Sequence, residues 1–551
     1  MGNVTSTPSA ADQCTDLCSR LTFTSDLNVS NAQCQAYGAN TAITAAPGQN
    51  PICGVNFTTS VPICRVELNV QTGPTGSTYM EVWLPNDNSS SWNGRTMNTD
   101  NGGLNGCVHY VDMEYVSGLG FAAIGDNAGH NSSSFDGSWT YGNNEAILDW
   151  TYRARHASVA VGKQVVNQFY NQSISKSYYI GCSTGGQQGM HSAQHYPEDF
   201  DGIIAGSSAA DYNHLQDWSS RFVLLTGLID TNDPKYLSLG NWLYVQSSIL
   251  AQCDAAIDGV NDGILEDPTL CHFNSTGLAC SVNETTNCLT DVQVETVNNV
   301  FTELYDTTGR LLYPSLLLGS EVDSFKLGQL SGTIQGIARD WFRGGVWNNT
   351  NWDPLSANQT DYAQADATDA LHGNVSSFDG DLSQFRALGK KMIMYHGLAD
   401  PLVSGTNSQR YYLKVAKTLG LDYTQMDPFM RLFRISGMAH CGVGGISGAG
   451  AWMFGQSLQA SAGVDNVVNR LVAWVENGAA PDTLTGTKFW YDLPSLGVQF
   501  IRPHCRFPFR TTYLGGDSTQ PSSWGCTFIQ DWQDCGPGVS PRLCNADGSF
   551  T

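Results

Sequence analysis

Charged side chains are scarce in this chain and basic ones scarcer: 14% of its 551 residues are charged, and 27 Lys and Arg face 50 Asp and Glu. The formal net charge of -23, with no basic run, argues against nucleic acid or an anionic membrane as partner, since phosphate binding needs concentrated Lys and Arg. No stretch of 18 or more apolar residues is present, so no segment is built to span a bilayer as a helix. CxxC pairs and His clusters at zinc spacing are missing too, which leaves the cysteines without an obvious metal role. No signal peptide opens the chain, and a mature form whose export signal has been removed is expected. Met1 to Ser6 does fit a myristoylation pattern, but a myristoylated chain would stay in the reducing cytosol. Internal repeats and low-complexity linkers are absent.

What is abundant points to an oxidising compartment. Sixteen cysteines form an even set, and eleven Asn-x-Ser/Thr sequons begin at Asn3, Asn28, Asn56, Asn88, Asn131, Asn171, Asn274, Asn283, Asn348, Asn358 and Asn374. Together they imply disulfides, N-glycosylation and a secreted, extracellular protein.

The most informative stretch is Gly181-Cys182-Ser183-Thr184-Gly185, which fits the G-x-S-x-G nucleophile elbow. Ser175 to Ile180 reads as a strand rich in aromatic and β-branched residues, and Gly185 to Tyr196 as a helix running to Pro197. A turn this sharp needs small neighbours, and its serine hydroxyl then projects above the carboxyl end of a sheet. A bare match is common by chance in a chain with 58 glycines; the strand-turn-helix context is what gives it weight.

Two further residues complete a triad in the order Ser, acid, His. Lys391 to His396 reads as a buried strand, so Asp400 falls on the loop past its carboxyl end. Arg431 to Ile435 reads as another strand, followed by a small-residue loop carrying His440. Serine is a poor nucleophile at its own pKa, so a histidine must take its proton and a carboxylate must hold the imidazole's tautomer. Alone, Asp400 would be an ordinary turn residue before Pro401 and His440 a surface histidine. Cys182 precedes the serine and Cys441 follows the histidine; if bridged, they would bring two residues far apart in sequence to within about 5.5 Å at Cα.

The spacing also sets the organisation. Ser183 and Asp400 are 217 residues apart, more than the rest of a hydrolase core requires. We therefore expect an α/β-hydrolase fold made of residues 1–208 and 384–551, with an inserted lid domain at 209–383. The insertion carries Trp218, Phe222, Trp242, Tyr244, Trp341, Phe342, Trp347 and Trp352, suited to a packed subdomain, to the apolar wall of a ligand pocket, or to both. An oxyanion hole needs backbone N–H donors. Thr184 supplies one, and Asn101 to Gly106 (NGGLNG) is the candidate loop for the other, with Gly103 favoured over Gly102. Within the insertion, Cys253 to Ile264 (CDAAIDGVNDGI) places three carboxylates on a glycine-rich loop, a donor set for a hard cation such as Ca2+ but not at EF-hand spacing.

These motifs carry a resemblance. GCSTGG at 181–186, GLADPLV at 397–403, GMAHCGVGG at 437–445, YPEDFDGIIAG at 196–206 and WVENGAAPDTL at 474–484 resemble the tannase and feruloyl esterase family of secreted α/β-hydrolases, over nearly the whole chain. The resemblance implies a Cys182–Cys441 disulfide beside the triad, with Cys253–Cys271 and Cys280–Cys288 closing short loops. It also implies a structural Ca2+ held by Asp258, Val260, Asp262 and Ile264. Asp254 stands four residues before Asp258 where the family has three, which puts its role in question. The expected activity is a serine carboxylic ester hydrolase acting on small phenolic esters or feruloylated polysaccharide, with feruloyl esterase ahead of tannase on the TDNGGLNG and STGGQQG variants. A catalytically inactive binding protein on the same fold is the remaining alternative, and such proteins typically lose a triad residue. Neither oligomeric state nor the residues of the acyl pocket can be read at this level.

Overall fold

The computed structural model describes the chain except residues 1–9, 46–48, 54–55, 88–91, 100, 230–231, 284–285, 443–451, 458–459, 534–542 and 551. The Met1 to Ser6 pattern, the sequons at Asn3 and Asn88 and the end of the GMAHCGVGG motif lie outside the described residues.

Nine strands build the main sheet: β1 (Val29–Tyr37), β2 (Ile63–Gln71), β3 (Ser77–Pro85), β4 (Arg95–Thr99), β5 (Ala122–Asp126), β6 (Lys176–Cys182), β7 (Gly202–Gly206), β8 (Lys391–Gly397) and β9 (Met430–Ile435). Their spatial order is β1-β2-β3-β5-β4-β6-β7-β8-β9. The first four in space are antiparallel to one another, and β5, β4 and β6 to β9 run parallel. This is an α/β-hydrolase-type sheet with helices on both faces.

Buried on both sides, β5, β7 and β8 read as near-continuous apolar runs rather than alternating ones, whereas β4 (RTMNT) buries Thr96, Asn98 and Thr99. Tyr178 and Ile180 of β6 and Ile393 and Tyr395 of β8 share a buried cluster with α1 (Tyr110–Gly118) on one face. Tyr179, Met392 and Met394 face the other way, onto helices described below. α2 (Ala154–Tyr170) covers the antiparallel end, where Val161, Val165 and Phe169 meet Val66, Val82 and Ile124.

β6 passes through Ser183 into α3 (Thr184–His195). The strand runs two residues further than its aromatic composition suggests, up to the serine itself. α4 (Tyr212–Thr226) and α5 (Leu239–Asp258) open the insertion, and a short helix α6 (Glu321–Lys326) follows. The chain leaves the sheet at Gly206 and rejoins it at Lys391, although β7 and β8 are neighbours in register. LSQFRALGKK forms only a single turn, Ser383–Ala387, before Gly389 takes a left-handed φ of 72°. α7 (Gly405–Leu419) joins α3 on the second face, and α8 (Val467–Asn477) joins α1 on the first.

The insertion packs around its own apolar cluster, with Trp218, Phe222, Trp242, Trp341 and Phe342 buried. Leu104, Ile147 and Trp150, from before the elbow, are part of that cluster. Trp150 lies 5.2 Å from Tyr212 and 5.9 Å from Trp341 between ring centroids, so the insertion is seated on the sheet's helices through aromatic contact.

Seven disulfides are formed among the described residues: Cys14–Cys64, Cys18–Cys34, Cys53–Cys107, Cys182–Cys441, Cys253–Cys271, Cys280–Cys288 and Cys505–Cys526.

Candidate active site

Ser183 sits between β6 and α3 with φ 62° and ψ -122°, a backbone conformation that a non-glycine residue adopts only when its surroundings enforce it. The enforcement is visible. Its N–H donates to Gly206 O at 2.9 Å, and its carbonyl accepts from Ala209 at 2.9 Å and Gln187 at 3.0 Å. A Cβ on Gly181 would lie 2.6 Å from Gly185 O, so the turn closes only over a bare backbone there.

α3 is buried along nearly its whole length, and three of its polar residues, Gln187, His191 and Gln194, fall on one helical stripe. Gln187 Nε2 donates to Val375 O at 2.6 Å, Gln194 Nε2 to Ser377 O at 2.9 Å, and His191 Nε2 to Gly373 O at 2.9 Å. The elbow helix is thereby tied to the returning end of the insertion.

The loop after β8 holds Asp400, fully buried. Its Oδ1 accepts the N–H groups of Leu402 and Val403, both at 2.9 Å. Its Oδ2 accepts from His440 Nδ1 at 2.7 Å and from His396 Nε2 at 3.2 Å. Burial opposes ionisation, but the two imidazoles outweigh it, and the carboxyl is held well below the usual carboxylate range. His440 follows β9 on its loop, where Cys441 takes a φ of 60° and donates its N–H to Ser207 Oγ at 3.2 Å. The Cys182–Cys441 bridge spans 5.8 Å between Cα atoms. Ser183 and His440 line one cavity of about 520 Å³, and with Thr184 they also line a smaller cleft bordered by Tyr212, Leu215 and Ile337 of the insertion.

Gly103 borders both spaces, with φ 61°, and a Cβ there would lie 2.6 Å from Ser134 O; Gly102 borders only the larger. Thr184 opens α3, so its N–H has no intrahelical acceptor and remains available to a ligand oxygen. The cavity wall is mainly apolar: Val111, Phe135, Ile180, Leu327, Ile337 and Leu402. His109, Asp112 and Asp323 add polar groups, and His109 Nδ1 lies 3.0 Å from Asp112 Oδ2. His396, the second imidazole on Asp400, escaped the sequence reading because it counted only as part of a buried strand.

The acidic loop follows α5. Asp254 is on the last turn of the helix and accepts from Gly263 N at 2.8 Å. Asp258 accepts from Val260 N at 2.8 Å, and Asp262 from Ile264 N at 3.1 Å. The outer oxygen of Asp262 pairs with Arg502 at 2.6 Å, whereas Asp254 Oδ1 and Asp258 Oδ2 are buried with no protein partner. Burial first, then the neighbouring Asp262 and Asp254, pushes Asp258 up to about 6, and Asp254 is raised as well. Among the described residues no group of three or more His, Cys, Asp or Glu is gathered to hold a metal, so a cation here would need backbone carbonyls to complete its shell.

The sequence and fold both have relatives. The family described as tannase and feruloyl esterase matches residues 64–527. The Aspergillus oryzae protein named "Probable feruloyl esterase B-1" is 40% identical over 522 residues, 92% of each chain. The crystal structure of feruloyl esterase B from Aspergillus oryzae superposes with a TM-score of 0.86 at 39% identity, covering 94% of this chain and all of the other. Tannin acyl hydrolase from Aspergillus niger shares the fold, with a TM-score of 0.76 at 20% identity over 95% and 97% of the two chains. With the match extending from residue 64 in β2 to residue 527, the chain belongs to the tannase and feruloyl esterase family.

Proposed function

We propose that this protein is a secreted serine carboxylic ester hydrolase that releases hydroxycinnamic acids of the ferulate type from phenolic esters. One observation carries the mechanism: a strained serine opens onto the same cavity as a histidine whose other nitrogen is held by a buried carboxylate. Ser183 Oγ attacks the ester carbonyl while His440 Nε2 takes its proton. Asp400 keeps the hydrogen on Nδ1 and stabilises the imidazolium. The N–H groups of Thr184 and Gly103 receive the developing oxyanion. The C–O bond to the alcohol then breaks, and the alcohol leaves with the proton from His440. A water, deprotonated by His440, attacks the acyl-enzyme, and the acid departs as Ser183 regains its hydrogen.

The substrate class rests on family membership, on feruloyl esterase relatives near 40% identity, and on the largely apolar cavity wall. Galloyl esters are the second reading, favoured by the His109–Asp112 pair and Asp323 on that wall. Secretion is supported by the seven disulfides and the sequons. Residues 209–383 act as the lid.

A structural Ca2+ would take the two partnerless oxygens of Asp254 and Asp258 and the carbonyls of Val260 and Ile264, and Asp262 would join them only by giving up Arg502. Bound there, it would offset the mutual repulsion of the loop's carboxylates and tie α5 to the chain that follows. Hydrolysis of methyl ferulate by the wild type, and its loss in Ser183→Ala, is the direct test; an active S183A variant would rule the mechanism out.

A further inference from the structure

We infer that His396 is a positioning residue of this esterase centre, holding the Asp400 carboxylate for His440 through a second imidazole hydrogen bond. The inference rests on Ser183, His440 and Asp400 being the triad. His396 is fully buried on β8, four residues before Asp400. Its Nε2 lies 3.1 Å from Val403 O and 3.2 Å from Asp400 Oδ2. A carbonyl can only accept, so Nε2 carries a hydrogen, and the carboxylate shares it. Nδ1 lies 2.6 Å from Ser408 Oγ on α7, whose hydroxyl donates to it and fixes that tautomer.

Asp400 is thus held by four donors, two on each oxygen. Rotation of the carboxylate would break several of them at once, so Oδ2 stays turned to His440. The second donor also draws charge from Oδ2, which weakens its support of the His440 imidazolium. From the other elements, the titratable groups facing Asp400 are His440 and Tyr313 of the short lid strand Leu311–Tyr313, with Asp211 and Arg410 beside that tyrosine.

The test compares H396L, H396Q and S408A in the full chain, with kcat referred to the sites titrated by a phosphonate that reacts at Ser183. H396L is expected to lose about 10- to 100-fold in kcat, the factor a hydrogen bond to a charged group carries, with KM little changed. Its acid limb of kcat/KM should move to higher pH. H396Q, which keeps a donor, should recover most of both effects. S408A frees the tautomer and should move the acid limb the same way, so it decides the matter if H396L does not fold. Unchanged kcat and pH profile per titrated site, or an H396Q variant no better than H396L, would overturn the inference while leaving the esterase intact. A wild type inactive on methyl ferulate and on p-nitrophenyl butyrate would instead remove the reading beneath it.

Discussion

Cys182 and Cys441 are bonded across 259 residues, and each is the immediate neighbour of a residue placed in the proposed chemistry, Ser183 and His440. The bridge joins the end of β6 to the loop after β9, two strands separated in the sheet by β7 and β8. A loop this long gives roughly 5 kcal/mol in the chain-entropy description of cross-linking. Locally, the bond fixes the distance between nucleophile and base. The C182A/C441A double variant is therefore expected to lose activity more steeply than secondary structure. Turnover measured beside far-UV circular dichroism checks this, and retention of near-wild-type kcat would show that the sheet alone aligns the two loops.

Ser183→Ala, His440→Ala and Asp400→Ala should each lower kcat by about 10⁴-fold or more, because triad members act as a unit and their losses do not add. The serine and histidine variants should keep the wild-type melting temperature. Asp400→Ala should be less stable, since it leaves the N–H groups of Leu402 and Val403 and the His396 imidazole without their acceptor. Steady-state rates and thermal melts of the three variants separate these effects.

The elbow was legible because its constraints are local: small residues at Gly181 and Gly185 and a strand-to-helix change within ten residues. Asp400 and His440 were legible for a related reason, as loop residues just past buried strands. His396 was not, since its partners Ser408 and Val403 come from a helix and a loop that no pattern places beside it. The Asp262–Arg502 pair, 240 residues apart, was hidden in the same way. Spacing pointed to an insertion between Ser183 and Asp400, but no pattern placed Trp150 against Tyr212 and Trp341 of that segment.

Glu321 at the start of α6 is expected to make stability depend on pH. It is fully buried, its Oε2 accepts from Gly319 N at 2.8 Å, and burial pushes it up to about 7. The folded protein therefore keeps a proton that the unfolded chain gives up near 4.5, so stability falls as pH rises from about 4.5 through 7. E321Q removes this dependence. At pH 8 it should exceed the wild type by about 3 kcal/mol, and at pH 4 the two should coincide. Urea denaturation at both pH values measures the difference; parallel curves would mean that Glu321 is ionised in the native state.

Chelation should act on stability before it acts on rate, since the acidic loop contributes no group to the proposed acyl transfer. EGTA is expected to lower the melting temperature while the initial rate of ester hydrolysis at 25 °C holds, and added Ca2+ should reverse the shift. D258N should melt near the chelated wild type and respond to neither reagent. Metal analysis finding no calcium in protein purified without chelator, together with identical melts, would reduce the loop to an acidic turn.

Substrate preference turns on what the cavity of about 520 Å³ offers a ring. A ferulate ester carries its ring on a propenoyl spacer, with one hydroxyl and one methoxyl to accommodate. The apolar run of Val111, Phe135, Ile180, Leu327, Ile337 and Leu402 suits that shape. A gallate ester brings three hydroxyls directly on the ring, and a site built for them rejects rings that lack them by large factors, because its own polar groups are left unpaired. His109, Asp112 and Asp323 are among the polar side chains that could serve in that way, with Asn101, Tyr395 and Gln456 also on the wall, and His109 and Asp112 already face each other. We therefore expect methyl ferulate, caffeate and coumarate to be cleaved with kcat/KM at least about tenfold above methyl gallate. Assays run side by side at one pH decide it. Faster turnover of gallate would give the polar groups the leading role and make the enzyme a tannase with the same triad.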